Sequence, residues 1–175
     1  LYALPNSGKM ATPEGTVVAT SDDAVQWTPF EPVEPAGWLF WRPKSNDGGT
    51  TWYVPAYWHA HGKSILLRST DGRAWQQVSE IHEGDGNDET DIEFLPDGRL
   101  LATARLEITP DTILGNYDGQ TAIAVAAPPF TEWTTQRSRL TRLDGPNLFA
   151  LDGTLYAVAR YQPDPNGFLT RMGGI

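Results

Sequence analysis

The sequence predicts an all-β fold, and three observations support this prediction. First, its strand-like runs are short and are separated by turn-forming residues, with 17 glycines and 14 prolines spread along the 175 residues. Second, no stretch of about ten residues shows the 3.6-residue apolar period of an amphipathic helix. Third, the strand-like runs recur in a pattern that repeats roughly every fifty residues.

The runs predicted as strands follow one another along the whole chain. They are rich in valine, isoleucine, leucine and aromatic residues, and Gly, Pro, Asn, Asp and Ser bound them, as is typical of strands. In order they are GTVVATSDD, GWLFW, TTWYVPAYW, KSILLRSTDG, TDIEFLPDGRLLATAR, TAIAVAAPP and PNLFALDGTLYAVARY.

Two kinds of unit alternate in the repeat. Residues 16–27 (TVVATSDDAVQW) align with residues 64–75 (SILLRSTDGRAW), and residues 121–133 form a weaker third copy. Between these copies lies a hairpin unit, present as residues 90–105 and again as residues 146–160. Each hairpin turns at an Asp-Gly pair and carries an arginine at its end.

A repeat of about fifty residues with about four short strands is typical of a β-propeller blade. The sequence therefore predicts a single partial propeller domain over residues 1–175. Because each blade packs between two neighbours, about three blades do not close a ring. We expect the remaining blades to come from a longer chain or from another copy of this one. The predicted blades span roughly residues 1–35, 36–85, 86–140 and 141–175.

Composition restricts the partners. The formal charge is −9 and no basic stripe offsets it, so we expect no nucleic-acid partner. No apolar run approaches the roughly 18 residues of a membrane span, so we expect no membrane partner. The absence of cysteine excludes disulfides, thiolate nucleophiles and cysteine zinc sites, and leaves the compartment undetermined.

One turn carries a family resemblance. Ser69, Asp71, Gly72 and Trp75 form the pattern Ser-x-Asp-Gly-x-x-Trp, and residues 21–27 follow it more loosely. This pattern resembles the Asp-box (BNR) repeat of the sialidase, or neuraminidase, superfamily. The resemblance implies a six-bladed propeller, of which this chain covers about half, and a structural role for the box away from the substrate. It is also compatible with a secreted or periplasmic protein.

A second segment extends the resemblance to candidate site residues. Residues 88–105 (DETDIEFLPDGRLLATAR) are similar to a sialidase segment in which a glutamate and an arginine flank an Asp-Gly hairpin. Glu89 matches the glutamate and Arg105 the arginine. The resemblance implies that Glu89 assists a tyrosine nucleophile outside this chain, and that Arg105 binds a substrate carboxylate.

The arginines also form a pattern of their own. Arg105 and Arg160 occupy the same position in successive hairpins, and Arg42 follows an apolar run. Guanidinium groups bind planar carboxylates through paired donors, so these three predict a cluster that binds an anionic sugar. The alternative is that each is a solvated arginine at the end of a strand.

The remaining candidate site residues have less support in the sequence. Tyr57 and Tyr161 are weaker candidates for the nucleophile, and Asp85 and Asp91 are candidate acids by proximity alone. The histidines of the YWHAHGK segment are interpreted as loop residues near aromatic side chains, because no third metal ligand accompanies them. We therefore expect no bound metal and no cofactor.

Three functions remain open at this stage. The first is a sialidase-like exo-glycosidase that acts on terminal, anionic sugars. The second is a five-bladed, carboxylate-based glycoside hydrolase, in which aspartate and glutamate carry the acid–base chemistry. The third is a propeller that binds carbohydrate without catalysis. In each case the expected partner is a glycan or a small sugar.

Overall fold

The computed structural model describes residues 2–3, 15–107, 120–138 and 143–160. Within these ranges the chain forms strands and turns, with no helix and thus none long and apolar enough to span a membrane. The strands are β1 (Tyr2–Ala3), β2 (Val17–Val18), β3 (Glu31–Pro32), β4 (Trp38–Phe40), β5 (Trp52–Trp58), β6 (Lys63–Ser69), β7 (Gln76–Glu83), β8 (Asp88–Phe94), β9 (Leu100–Leu106), β10 (Gln120–Ala126), β11 (Thr134–Ser138), β12 (Asp144–Leu151) and β13 (Thr154–Arg160).

These strands form four antiparallel sheets that follow one another along the chain. Two sheets have four strands each, in the orders β4-β5-β6-β7 and β8-β9-β10-β11. The sheet before them contains β1-β2-β3, and the sheet after them is the hairpin β12-β13. In each of the two four-stranded sheets every strand pairs with the next along the chain, and the all-β prediction is confirmed.

The four-stranded sheet β4–β7 is covered on both faces, which explains its most apolar strand. On β6, Ile65 and Leu67 pack toward the β1–β3 sheet, whereas Leu66 between them packs toward the β8–β11 sheet. All three side chains are fully buried. A strand buried on both faces is continuously apolar instead of alternating, and the sequence KSILLRS has this property.

The first strands of three sheets meet at one line, which we call the axis. The Lys44 ammonium group, shortly after β4, donates to the Glu93 carboxylate on β8 at 2.8 Å and to the Leu148 carbonyl on β12 at 2.7 Å. Strand β8 begins at one end of this line, and we call that end the β8-start end. Functional residues from three sheets can meet there.

Candidate active site at the start of β8

A β-bulge shapes the beginning of β8. Asp88 pairs with Arg105 on β9, but the next regular pair is Asp91 with Thr103, so β8 holds one extra residue. A bulge of this kind turns side chains out of strict alternation. As a result, Asp88 and its neighbour Glu89 both reach the Arg105 guanidinium group.

Arg105 is the centre of a cluster of carboxylates. Its Nε donates to Asp88 at 2.7 Å, and Nη2 also bonds Asp88, which makes the pair bidentate. Nη2 lies 2.9 Å from Glu107, whereas Nη1 lies 2.9 Å from Glu89 and 3.6 Å from Asp144. Burial opposes the charge on Arg105, but the Asp88 hydrogen bond and the charges of Asp88, Glu107 and Glu89 raise its pKa. Arg105 is therefore a fixed cation with its donors already engaged.

The pKa of Asp88 is also shifted by burial and by Arg105. Its side chain is 1% exposed. Burial raises the pKa of Asp88 to about 6, although the hydrogen bond and charge of Arg105 act in the opposite direction. Since several carboxylates share one buried guanidinium group, the cluster carries more negative than positive charge at this point.

Glu89 joins two neighbouring sheets. Its carboxylate accepts from the Gly145 backbone N–H on β12 at 2.6 Å and from Arg160 Nη2 on β13 at 3.0 and 3.2 Å. With the Arg105 contact, three donors from three strands hold it. The Glu89 side chain is 15% exposed, so the carboxylate lies at the edge of the buried cluster and not inside it.

The same geometry repeats in the next sheet with one change. Asp144 pairs with Arg160 as Asp88 pairs with Arg105, and a one-residue shift follows before Asn147. At the position equivalent to Glu89 this sheet has Gly145, whose φ is +59°. One sheet thus supplies the carboxylate and the next supplies a backbone donor in its place.

Arg42 lies farther along the axis and not at Glu89. It donates to the Pro146 carbonyl, and its Nη1 is 3.6 Å from the Asp91 carboxylate. Asp91 is fully buried and also accepts from the Leu148 N–H at 2.7 Å. The three predicted arginines therefore do not form one shared group: Arg105 and Arg160 contact Glu89, whereas Arg42 binds at the level of Asp91.

His61 is a residue of this cluster whose surroundings the sequence analysis missed. It lies in the turn between β5 and β6, and its Nδ1 is 3.5 Å from Asp88 and 3.4 Å from Glu107. The ligand atoms of these three residues lie within 4.8 Å of one another, a spacing that a metal ion can use. However, Arg105 already binds both carboxylates, so we treat the group as an ion-pair cluster.

The remaining candidates have other surroundings. Tyr57 is 8% exposed, and burial together with the charges of Asp88 and Glu89 raises its pKa, which disfavours the phenolate that a nucleophile requires. Asp85 is bound at the rim by His82 at 3.2 Å and by Arg137 at 2.7 Å. Tyr161 lies outside the described residues.

Three turns at the end of the sheets away from the start of β8 are each organised by a serine and an aspartate. In the Ser69–Trp75 turn, the Asp71 carboxylate accepts from the Ser69 hydroxyl and from the N–H groups of Arg73 and Ala74. These bonds, led by the Arg73 N–H, lower the pKa of Asp71. The turn at residues 21–27 is built in the same way around Asp23. In the turn at residues 45–52, Asp47 accepts from the Ser45 hydroxyl and from the Thr51 N–H. Asp71 thus organises a turn and is remote from Glu89.

Comparison with known proteins relates this fold to the β-propellers. No family model and no curated protein sequence matches it. Among solved structures, it is similar to the GH32 β-fructofuranosidase BmSUC1 of Bombyx mori, with a TM-score of 0.54 and 20% identity over 82% of this chain. An aspartate-to-alanine variant of BmSUC1 in complex with sucrose matches with a TM-score of 0.52 and 21% identity, also over 82% of this chain.

The comparison bears on the expected propeller type. The chain spans 35% of the length of BmSUC1 in each of the two structures. BmSUC1 is a five-bladed propeller, whereas the resemblance in the sequence implied a six-bladed sialidase propeller. At this level of identity the likeness concerns the fold, and the number of blades in this protein stays a prediction.

Proposed function

We propose that this chain forms part of a carboxylate-based β-propeller glycoside hydrolase in which Glu89 is a catalytic carboxyl group. The observation that carries the proposal is the position of Glu89: partly exposed at the β8-start end of the axis and held by Arg105, Arg160 and the Gly145 N–H. Glycoside hydrolysis commonly uses two such carboxyl groups at the scissile bond. The architecture of the two solved neighbours, both glycoside hydrolases, supports the same class.

We further propose that the substrate is a neutral sugar. Arg105 is bound by four carboxylates, and Arg160 binds Glu89. A sugar carboxylate would have to displace these partners and would meet a local excess of negative charge. The sialidase-like function, which depends on free arginine donors, is therefore less well supported. The sucrose complex of the neighbouring enzyme suggests fructosides as the first substrates to try.

The second carboxyl group is expected from another part of the propeller. Asp88 and Asp144 are both buried against Arg105, and Asp91 is fully buried between three sheets. None of these three offers the exposed oxygen that direct contact with a sugar requires. An acid from the inner strand of another blade would complete the pair with Glu89.

The test uses the full-length protein with sucrose, other fructosides, neutral aryl glycosides and an aryl sialoside. We expect turnover of a neutral glycoside, and Glu89→Gln should lower kcat by about 10²-fold or more, because the amide cannot exchange a proton or attack carbon. Glu93→Gln is the matched control, since Glu93 lies on the same strand but pairs with Lys44.

Three results would contradict the proposal. Full activity in Glu89→Gln would remove Glu89 from the catalytic set. Turnover of the sialoside alone would restore the sialidase-like function. Sugar binding without turnover, measured by calorimetry, would favour a carbohydrate-binding propeller.

A further inference from the structure

His61 has surroundings that no catalytic role explains. Its backbone has a φ of +64°, a conformation that non-glycine residues rarely adopt, and its side chain is 36% exposed. The ring does not point away into solvent but contacts Tyr57 on one side, at 6.0 Å between ring centres. Its Nδ1 lies near two carboxylates, Asp88 and Glu107.

Both of those carboxylates are also partners of Arg105. Asp88 and Glu107 bind the Nε and Nη2 side of the guanidinium group, whereas Glu89 binds Nη1. The imidazole and the guanidinium group therefore share two anions, and the guanidinium group links them to Glu89. The distances along this connection are 3.4 to 3.5 Å at His61 and 2.9 Å at Glu89.

The cluster has more anionic than cationic groups, so the charge of His61 affects its electrostatic balance. Asp88, Glu89, Glu107 and Asp144 surround the guanidinium groups of Arg105 and Arg160, so anions outnumber permanent cations. A protonated His61 supplies a third cation at the point where two of the anions meet. The hydrogen bond to Glu107 raises the pKa of His61 despite partial burial, Asp88 acts in the same direction, and Arg105 opposes them.

We propose that His61 is a positioning residue that controls Glu89 through Arg105. When the imidazole is protonated, it neutralises part of the charge on Asp88 and Glu107, and this lowers the repulsion that Glu89 experiences. When the imidazole is neutral or absent, this neutralisation is lost and Glu89 lies next to a larger excess of negative charge. The inference rests on the proposed function where it concerns catalysis, but the electrostatic coupling is measurable without it.

The first test is the pH profile of kcat/KM in the full-length protein. Asparagine is the suitable uncharged replacement, because it tolerates a positive φ. We expect His61→Asn to move the profile to higher pH by roughly half a unit or more, and His61→Lys, a permanent cation, to keep the wild-type position. His59→Asn is the matched control, since His59 packs on the Trp58 ring. Superimposable profiles for His61→Asn and wild type, or equal shifts in the asparagine and lysine variants, would overturn the proposal.

The second test does not depend on activity. Coupling between two titrating groups is reciprocal, so the charge of Glu89 must affect His61 as His61 affects Glu89. We expect Glu89→Gln to lower the titration midpoint of the His61 imidazole, followed by NMR, by a few tenths of a pH unit or more. Glu93→Gln, about 13 Å farther along β8, should leave it unchanged.

The two tests separate the two proposals. If no sugar is turned over, the proposed function fails and the NMR titration alone decides the role of His61. If Glu89-dependent turnover is found but the His61 midpoint is the same in Glu89→Gln and wild type, the function stands and the coupling is refuted.

Discussion

The burial of one carboxyl group, that of Asp91, should make the stability of the protein depend on pH. It lies where β8, β12 and the segment after β4 meet, and its side chain is fully buried. Burial raises the pKa of Asp91 to about 6, while the Leu148 N–H and the charges of Lys44 and Arg42 act against this. In the unfolded chain the carboxyl group has its ordinary pKa of 3.8. The Asp91 carboxyl group therefore loses its proton at a lower pH in the unfolded chain than in the folded protein.

The stability of the protein should depend on this difference. The contribution of Asp91 to the free energy of unfolding is fully present below about pH 4. It is lost as the pH rises to about 6, which lowers the free energy of unfolding by about 3 kcal/mol in all. We expect Asp91→Asn, which keeps an acceptor for the Leu148 N–H, to lose less stability than wild type between pH 4 and pH 6.5. Thermal unfolding of the full-length proteins across this range measures it. Parallel curves for the two proteins would contradict the assignment.

At the level of single residues, part of the site could be predicted from the sequence. It placed Glu89 and Arg105 at the same end of one hairpin, and the structure brings them to 2.9 Å. It did not find Glu107, Asp144 or His61 around Arg105, because their approach depends on the bulge and on contacts between sheets. It also grouped Arg42 with the other arginines, since spacing alone does not tell how far along the axis a side chain lies.

Among the elements, the Ser-Asp turns show how similar sequences acquire different roles. Trp75 is 7% exposed and packs against Phe40 and Tyr2 between two sheets, whereas Trp27, at the same position of its turn, is 45% exposed. The tryptophan therefore fills a gap between sheets at Trp75 and not at Trp27. In the turn of residues 45–52 the tryptophan follows the aspartate by one residue more, and its Nε1 donates to the Gly49 carbonyl of the same turn.

The two tryptophans give a matched pair of variants. We expect Trp75→Ala to lower the free energy of unfolding by about 3–5 kcal/mol, because it leaves a cavity in a packed core. Trp27→Ala should cost about 0.5 kcal/mol or less, as for most exposed substitutions. Chemical denaturation of the full-length protein measures both values, and equal losses would contradict this difference in packing.

The repeated bulge gives a second matched pair. Gly145 and Gly153 both have positive φ, and a Cβ at either would meet nothing closer than 3.5 Å. Alanine at each position should therefore destabilise the protein by a similar amount, about 1–2 kcal/mol, through backbone strain. Only Gly145→Ala should also lower kcat, because strain at position 145 shifts the backbone N–H that binds Glu89. Equal activity in the two variants would contradict this prediction.

At the level of the whole molecule, the last described hairpin leaves apolar side chains uncovered. Leu151, Leu155, Tyr156 and Val158 are between 37% and 58% exposed. The sequence predicted that blades need neighbours on both faces. By the register of the hairpin, Leu151, Tyr156 and Val158 lie on one face and Leu155 on the other, and no neighbour covers them in the described part of the chain.

This exposure leads to a prediction for residues 1–175 expressed alone. We expect this segment to associate with itself or to bind a hydrophobic dye, because apolar blade faces are not stable in water. Light scattering coupled to size exclusion, over a range of concentrations, measures the association. A monodisperse and highly stable monomer would contradict the prediction.

The division of the Glu89 site between two sheets has a consequence for inactivation by heat. The carboxylate belongs to β8, whereas Gly145 and Arg160 belong to the next sheet. Among the described residues, these two sheets are joined through side chains and not by a strand ladder. A small separation of these sheets would break the site while each sheet remained folded. The temperature at which activity is lost should therefore lie below the temperature at which the strands unfold, and the working range of the protein would be set by the fit between blades.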